Sequence, residues 1–260
     1  MNIDNTSIRS AAAAEKKKMR AERFTLLRRN PAFLIGSVLV TIWVFAAIFG
    51  EFLVPIKPEE LDVMATDLGP SSAHWFGTDP LGRDVFSRVI VGSRPIIVMA
   101  FCATILGTVV GTTIGLLTGY FKGKFDLVVM RILDAISALP VLILALLALA
   151  AVGGSSEVVT IFIIGFVFSP IIARTVRATV LGEAELDYVA AAKLRTENTR
   201  HILFVEILPN VLPPIVVEFT IRLGYAVFAI ATLSFLGVGV ELGSPNWGSQ
   251  VSENYVGIFT

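Results

Sequence analysis

The chain has 260 residues, of which 55% are hydrophobic and 16% charged, and its mean hydropathy is +0.77. Soluble domains carry about 25% charge, so this composition excludes an ordinary soluble globule and points to a membrane protein. Lys plus Arg and Asp plus Glu balance at 21 each, which removes any global attraction to nucleic acid, and the lone Cys102 excludes a disulfide framework.

Residues 1–30 are polar, with eight Lys or Arg against three acids. No small-residue cleavage site follows, so this is an uncleaved segment, and its charge predicts a cytoplasmic N-terminus. Pro31 to Phe52 is the first predicted span, 22 residues that begin on a proline suited to a helix's first turn.

Residues 53–94 read as a polar external loop. Within it, Gly77 and Gly82 are turn residues, Asp79 and Asp84 can cap the next turn of chain, and Arg83 and Arg88 are placed to pair with them. The run Phe76-Gly77-Thr78-Asp79, then Leu81-Gly82-Arg83-Asp84 and Ser87-Arg88, is similar to the FGTD-x-LGRD-x-x-SR signature of the C-type permeases of dipeptide and oligopeptide ABC importers. A loop that only seals the outer face is the plainer use of the same residues. His74 has no second ligand nearby and reads as a surface or interfacial histidine.

Pro95 to Tyr120 is the second span. Ala103, Gly107, Gly111, Gly115 and Gly119 recur every four residues, a face that allows close helix contact in lipid, within one subunit or at a seam between two. Lys122 and Lys124 mark a return to the cytoplasm. Residues 122–139 read as a partly interfacial approach and Ala135 to Ala151 as the apolar core of the third span. Val158 to Ala173 is a short fourth span, with Arg174 and Arg177 at its cytoplasmic end.

Glu183 to Asn210 is a polar island. A first helix is predicted from Glu183 to Arg195, acids early and bases late as the macrodipole favours, and a second from Asn198 to a stop at Pro209. Tyr188, Ala191, Ala192 and Arg195 recur at helical spacing, which predicts a small-residue face for docking. Tyr188 to Ala192, followed by Ile207 to Asn210, resembles the EAA coupling loop of ABC permeases. The resemblance implies a cytoplasmic loop that docks on an ATPase through Tyr188, Ala190, Ala191, Ala192, Thr196, Leu208 and Pro209. Two positions depart from it: Ala190 replaces the usual glutamate, and Thr196 the usual turn glycine. A left-handed Thr196 costs about 1–2 kcal/mol, unless the turn moves to Asn198.

Val211 to Val240 is the fifth span. Glu218 and Arg222, at i and i+4, share one face, either lining a pathway or forming an internal ion pair. In this topology sixteen Lys or Arg of the 21 lie inside, which agrees with the orientation independently of any motif. Residues 241–260 are polar and hold no span.

The resemblance implies an all-α polytopic membrane bundle with the type I ABC importer permease fold. It has six spans where five are legible, so a permease truncated before its last helix is the expectation. It further implies a second homologous permease as heterodimer partner, two ATP-binding subunits, an extracytoplasmic substrate-binding protein and a bacterial inner-membrane location. No G-x-x-x-x-G-K-[ST] loop is present, so no cofactor is expected on this chain, and ATP and magnesium belong to the partner subunits. Relatives with similar loops handle nickel chelates, opines or glycosides, and a non-functional assembly protein is the remaining alternative. With no H-E-x-x-H or G-x-S-x-G motif, and both His74 and His201 in polar loops, an intramembrane enzyme is not expected.

Overall fold

The computed structural model describes residues 18–19, 25–153, 156–241 and 243–255. Most of the basic N-terminal segment, Gly154, and residues 256–260 of the tail lie outside the described residues. Among the described residues every regular element is a helix. Four helical stretches are long and apolar enough to cross a membrane, and a bent pair makes a fifth if counted as one span.

Helix α1, Pro31–Leu53, starts where the Asn30 side chain accepts from the Ala32 and Phe33 N–H groups. Only Ala46, Ala47 and Gly50 of it are buried, so it lies at the edge of the bundle. The polar loop that follows ends earlier than predicted. Asp84 caps a short helix α2, Val85–Val91, and α3, Ser93–Phe121, continues almost without a break. The second span therefore begins before Pro95.

Helix α3 packs along α6, Glu157–Glu183, and the small-residue stripe is the contact. A Cβ on Gly107 would lie 2.7 Å from the Gly165 carbonyl, and on Gly111 2.7 Å from that of Ser169. At Gly115 it would meet the Ala173 carbonyl at 2.7 Å, and at Gly119 Val180 Cβ at 2.8 Å. Ala103 is fully buried, its carbonyl against Gly165.

The third span differs from the prediction. Ala135 to Ala151 is not one helix: α4, Gly123–Ser137, and α5, Val141–Val152, meet at 88°. Pro140 is the cause, because it has no N–H and its ring disfavours helical backbone at Leu139. Helix α6 runs well past the predicted end at Ala173. Its internal Pro170 leaves the Phe166 carbonyl without a backbone donor, and the Ser169 hydroxyl donates to that carbonyl at 2.8 Å.

The island's first helix, α7, is Asp187–Leu194; Glu183 belongs to α6 instead. Helix α8 runs unbroken from Thr199 to Phe235, so Pro209 does not end it. The reason is a π turn over Ile202–Ile207, where Leu208 N–H bonds the Leu203 carbonyl five residues back. The hydrogen-bond register changes just before the proline, and the missing N–H falls at that change. The fifth span also stops at Phe235 rather than Val240, and Gly237 and Gly239 take positive φ beyond it. The tail holds a last helix, α9, Trp247–Asn254.

Two apolar clusters hold the bundle. One, near the loop and α9, joins Ile96 and Met99 to Leu149, Ile164, Ile230 and Leu233. The other roots the island, packing Val189, Ala192, Ile202 and Ile207 on Leu116, Ile172, Val176 and Val180.

Candidate functional site

At the island end, α7 turns Val189 and Ala192 fully into the second cluster. The predicted face of Tyr188, Ala191, Ala192 and Arg195 is thus partly internal: Ala192 is buried, Tyr188 and Ala191 are half-buried, and Arg195 alone of the four is exposed, while Ala190 is exposed on another side. What points outward is Leu186, Ala190 and Leu194, four residues apart, with Leu194 84% exposed. Tyr188 donates its hydroxyl to Glu183 at 2.7 Å. Burial, then the Glu183 hydrogen bond, push the Tyr188 phenol above its ordinary pKa, so it remains a donor. Leu208 is half-buried and Pro209 exposed just after the π turn of α8.

Helix α7 ends in a Schellman motif, with Thr196 N–H on the Lys193 carbonyl and Glu197 N–H on that of Ala192. The left-handed position is Thr196, at φ +58°, while Asn198 is an extended N-cap that accepts from Arg200 N–H. Of the two turns left open by the sequence, the chain takes the strained one. Thr196→Gly is expected to stabilise the protein by about 1 kcal/mol, the relief of strain less the entropy glycine adds to the unfolded chain. A thermal unfolding midpoint that stays level or falls would contradict this. Beyond the turn Glu197, His201 and Glu206 converge, and the cation between the two carboxylates is the chain's own Arg195, at 2.7 and 3.3 Å.

At the opposite end the loop is a clasp. Gly77 and Gly82 take φ +76° and +73°, and each brings its turn against the backbone of Leu68 or Asp62. Asp79, 1% exposed, accepts from the N–H groups of Leu81 and Arg83 at 2.9 Å and from Arg83 Nε at 2.6 Å. Arg83 and Arg88 then converge on Glu253 of α9, at 2.5 and 3.1 Å. Arg88 also reaches the Gly243 and Pro58 carbonyls, while its own carbonyl accepts from Gln250. Asp84 does not pair with an arginine as predicted. One of its oxygens takes the Ser87 N–H and hydroxyl, and the other lies 2.9 Å from His74 Nδ1. Phe76 stays exposed and meets Phe86 edge-on at 5.3 Å.

Glu218 and Arg222 are in contact at 3.0 Å, each 15% exposed. The Thr175 hydroxyl of α6 donates to Glu218 at 3.1 Å, and Arg222 lies 5.1 Å over the Tyr225 ring. Replacing either residue alone with glutamine is expected to cost about 3 kcal/mol, because the other charge stays buried, whereas the double replacement costs less than either. Additive losses in thermal unfolding would contradict the coupling.

Sequence reasoning missed Glu253, one of two acids in a polar tail with no local signal. It also missed a link between α4 and α6, although the spacing was there. Asp126 and Asp134 stand eight residues apart, and Arg177 and Arg174 meet them from α6.

Comparison with known proteins agrees with this architecture. Residues 111–260 match the family described as binding-protein-dependent transport system inner membrane component. Residues 21–70 match the N-terminal transmembrane domain of oligopeptide transport permease C. The dipeptide transport system permease protein DppC of Alkalihalophilus pseudofirmus is 36% identical over 90% of this chain and 76% of its own length. The probable D,D-dipeptide transport system permease protein DdpC of Escherichia coli is 34% identical, over 89% of this chain and 78% of its own. The glutathione transport system permease protein GsiD of Pectobacterium atrosepticum is 37% identical, over 87% and 75%. Among solved structures, the inward-facing MetNI methionine ABC transporter has a similar fold, with TM-score 0.55 and 24% identity over 66% of this chain and 82% of that one.

Proposed function

The chain belongs to the binding-protein-dependent transport system inner membrane components, as an ABC importer permease of the dipeptide, oligopeptide and glutathione branch, and from that premise we propose how it works. It is an integral membrane subunit and not itself an enzyme. It forms half of a translocation pathway for short peptides, paired with a second, homologous permease. Two ATPase subunits, which carry the ATP and magnesium, dock on the island from the cytoplasm, and an extracytoplasmic binding protein delivers substrate at the opposite face. The N-terminus lies in the cytoplasm.

The observation that carries this reading is the way the island is mounted. Its inner face is packed into the bundle, while Leu186 at the N-cap and Ala190 and Leu194 on α7 are presented outward, and a three-residue turn, 184–186, separates α7 from α6. A force on that helix is therefore passed to the membrane spans. Dipeptides lead as substrate because the loop signature and the names of two relatives both point there; the glutathione permease gives the first competitor to test. Glu218 and Arg222 line the pathway in this reading, since paired charges within spans face an interior or a water-filled cavity.

The test is coexpression of the tagged chain with its neighbouring permease, ATPases and binding protein, followed by uptake in proteoliposomes. Dipeptide uptake that depends on ATP and is not displaced by glutathione supports the reading. Copurified ATPases with glutathione uptake alone would move the substrate, and absence of the ATPases from the complex would overturn the docking.

A further inference from the structure

Helix α4 has a single buried residue, Leu133, so packing cannot fix its position. Polar contacts to α6 and the island do. Arg177 grips Asp126 through both Nε and Nη2, the latter at 2.5 Å from Oδ2, a bidentate pair in which the Asp126 side chain is only 13% exposed. One turn earlier on α6, Arg174 lies 3.5 Å from both Asp134 and the Leu133 carbonyl. Lys122, just before α4, meets Glu185, just before α7, at 2.8 Å, and the island is held separately to α3 by Lys193 of α7, 5.2 Å over the Tyr120 ring. Both ends of α4 are joints: Lys122 and Gly123 take φ +53° and +62°, and Pro140 turns the chain through 88°.

Helix α4 is thus a strut jointed at both ends and tied by charges to the helix that leads into α7. We propose that Arg177 and Asp126 are positioning residues that make α4 follow the island, so that the bent α4–α5 pair moves whenever the island does. The exposed contacts, Lys122 with Glu185 and Arg174 with Asp134, are worth little each. The part-buried bidentate pair therefore carries most of the polar linkage, beside the one buried apolar residue, Leu133. The inference rests on the reading of α7 as the ATPase-docking helix, and its test separates the two.

In the assembled complex in lipid, with Cys102 replaced by serine, spin labels are placed by Arg200→Cys on the island, Val128→Cys on α4 and Val98→Cys on α3. The Arg200–Val98 distance reads island motion, and the Arg200–Val128 distance reads the linkage. In the parent chain the first is expected to change on ATP binding and the second to stay narrow and constant. In Asp126→Asn the first should still change, while the second broadens and varies with ATP. Peptide uptake should then fall about tenfold, within the usual range of a coupling free energy, with ATP hydrolysis retained. The exchange Asp126→Arg with Arg177→Asp should restore the narrow distance and the uptake. An unchanged Arg200–Val128 distribution in Asp126→Asn would overturn the proposal. If that variant fails to assemble, the exchanged pair decides: full uptake with an island–strut distance that varies with ATP also overturns it. ATPases that do not copurify with the parent chain would refute the docking reading, while the Arg200–Val128 distance would still judge the linkage.

Discussion

Gly115→Leu is expected to leave almost no correctly folded protein in the membrane. A Cβ at Gly115 already lies 2.7 Å from the Ala173 carbonyl and 2.7 Å from Val176 Cβ, and leucine adds three more carbons behind it. The opposing atoms are backbone and a β-branched side chain on a buried helix, so neither can turn aside. Helix association in lipid depends on close packing rather than on the hydrophobic effect, so separating α3 from α6 removes the main attraction between them. Overpacking of this kind costs about 3 kcal/mol or more. The check is the monodisperse fraction in size-exclusion chromatography after mild detergent extraction. Gly182→Leu is the control, since a Cβ there meets nothing within 4 Å, and it should behave as the parent does. Equal yields for the two variants would contradict the packing account.

Arg88→Ala is the second large effect. Arg88 is 1% exposed; it ties the loop to α9 through Glu253, to the tail through the Gly243 carbonyl, and to an earlier part of the loop through the Pro58 carbonyl. Its removal leaves Arg83 alone to balance buried Asp79 and part-buried Glu253. Breaking one side of such a buried set costs about 3–5 kcal/mol. Arg88→Lys is expected to recover less than half of the loss, because an ammonium lacks the guanidinium fork needed to reach several acceptors at once. The exposed pair of Arg94 with Glu51 gives the contrast: Arg94→Ala should change stability by about 0–1 kcal/mol. Thermal unfolding of the three variants in one detergent ranks them, and equal midpoints would refute the clasp.

The apolar runs and the four-residue glycine spacing made the spans and the α3–α6 contact legible, because both are local patterns set by one helix's geometry. Asn198 as an N-cap was legible for the same reason, whereas the left-handed turn was left open between Thr196 and Asn198. The bend at Pro140 was less so. Hydropathy is continuous from Ala135 to Ala151, and the proline alone does not tell whether a helix kinks or turns through 88°. Pro209 misled in the opposite sense, since a π turn absorbs it. The pairing of Arg83 with Asp79 was legible as a local contact, but Glu253, the acid both loop arginines share, was not, because it is 170 residues from Arg83 in the chain and only tertiary folding brings them together. Likewise the outward face of α7 depends on which side the second cluster takes, and helical spacing alone pointed to Tyr188, Ala191, Ala192 and Arg195, of which Ala192 is buried.

Cross-linking tests the central claim most directly. In the assembled complex with Cys102 replaced by serine, Leu194→Cys and Met64→Cys each place one reactive thiol on a strongly exposed side chain, one on the island and one on the opposite loop. A short bismaleimide should join the Leu194→Cys chain to the ATPase subunit, and should not join the Met64→Cys chain to it. An ATPase adduct from Met64→Cys, or none from Leu194→Cys in a complex that still hydrolyses ATP, would contradict the assignment of the island as the coupling end.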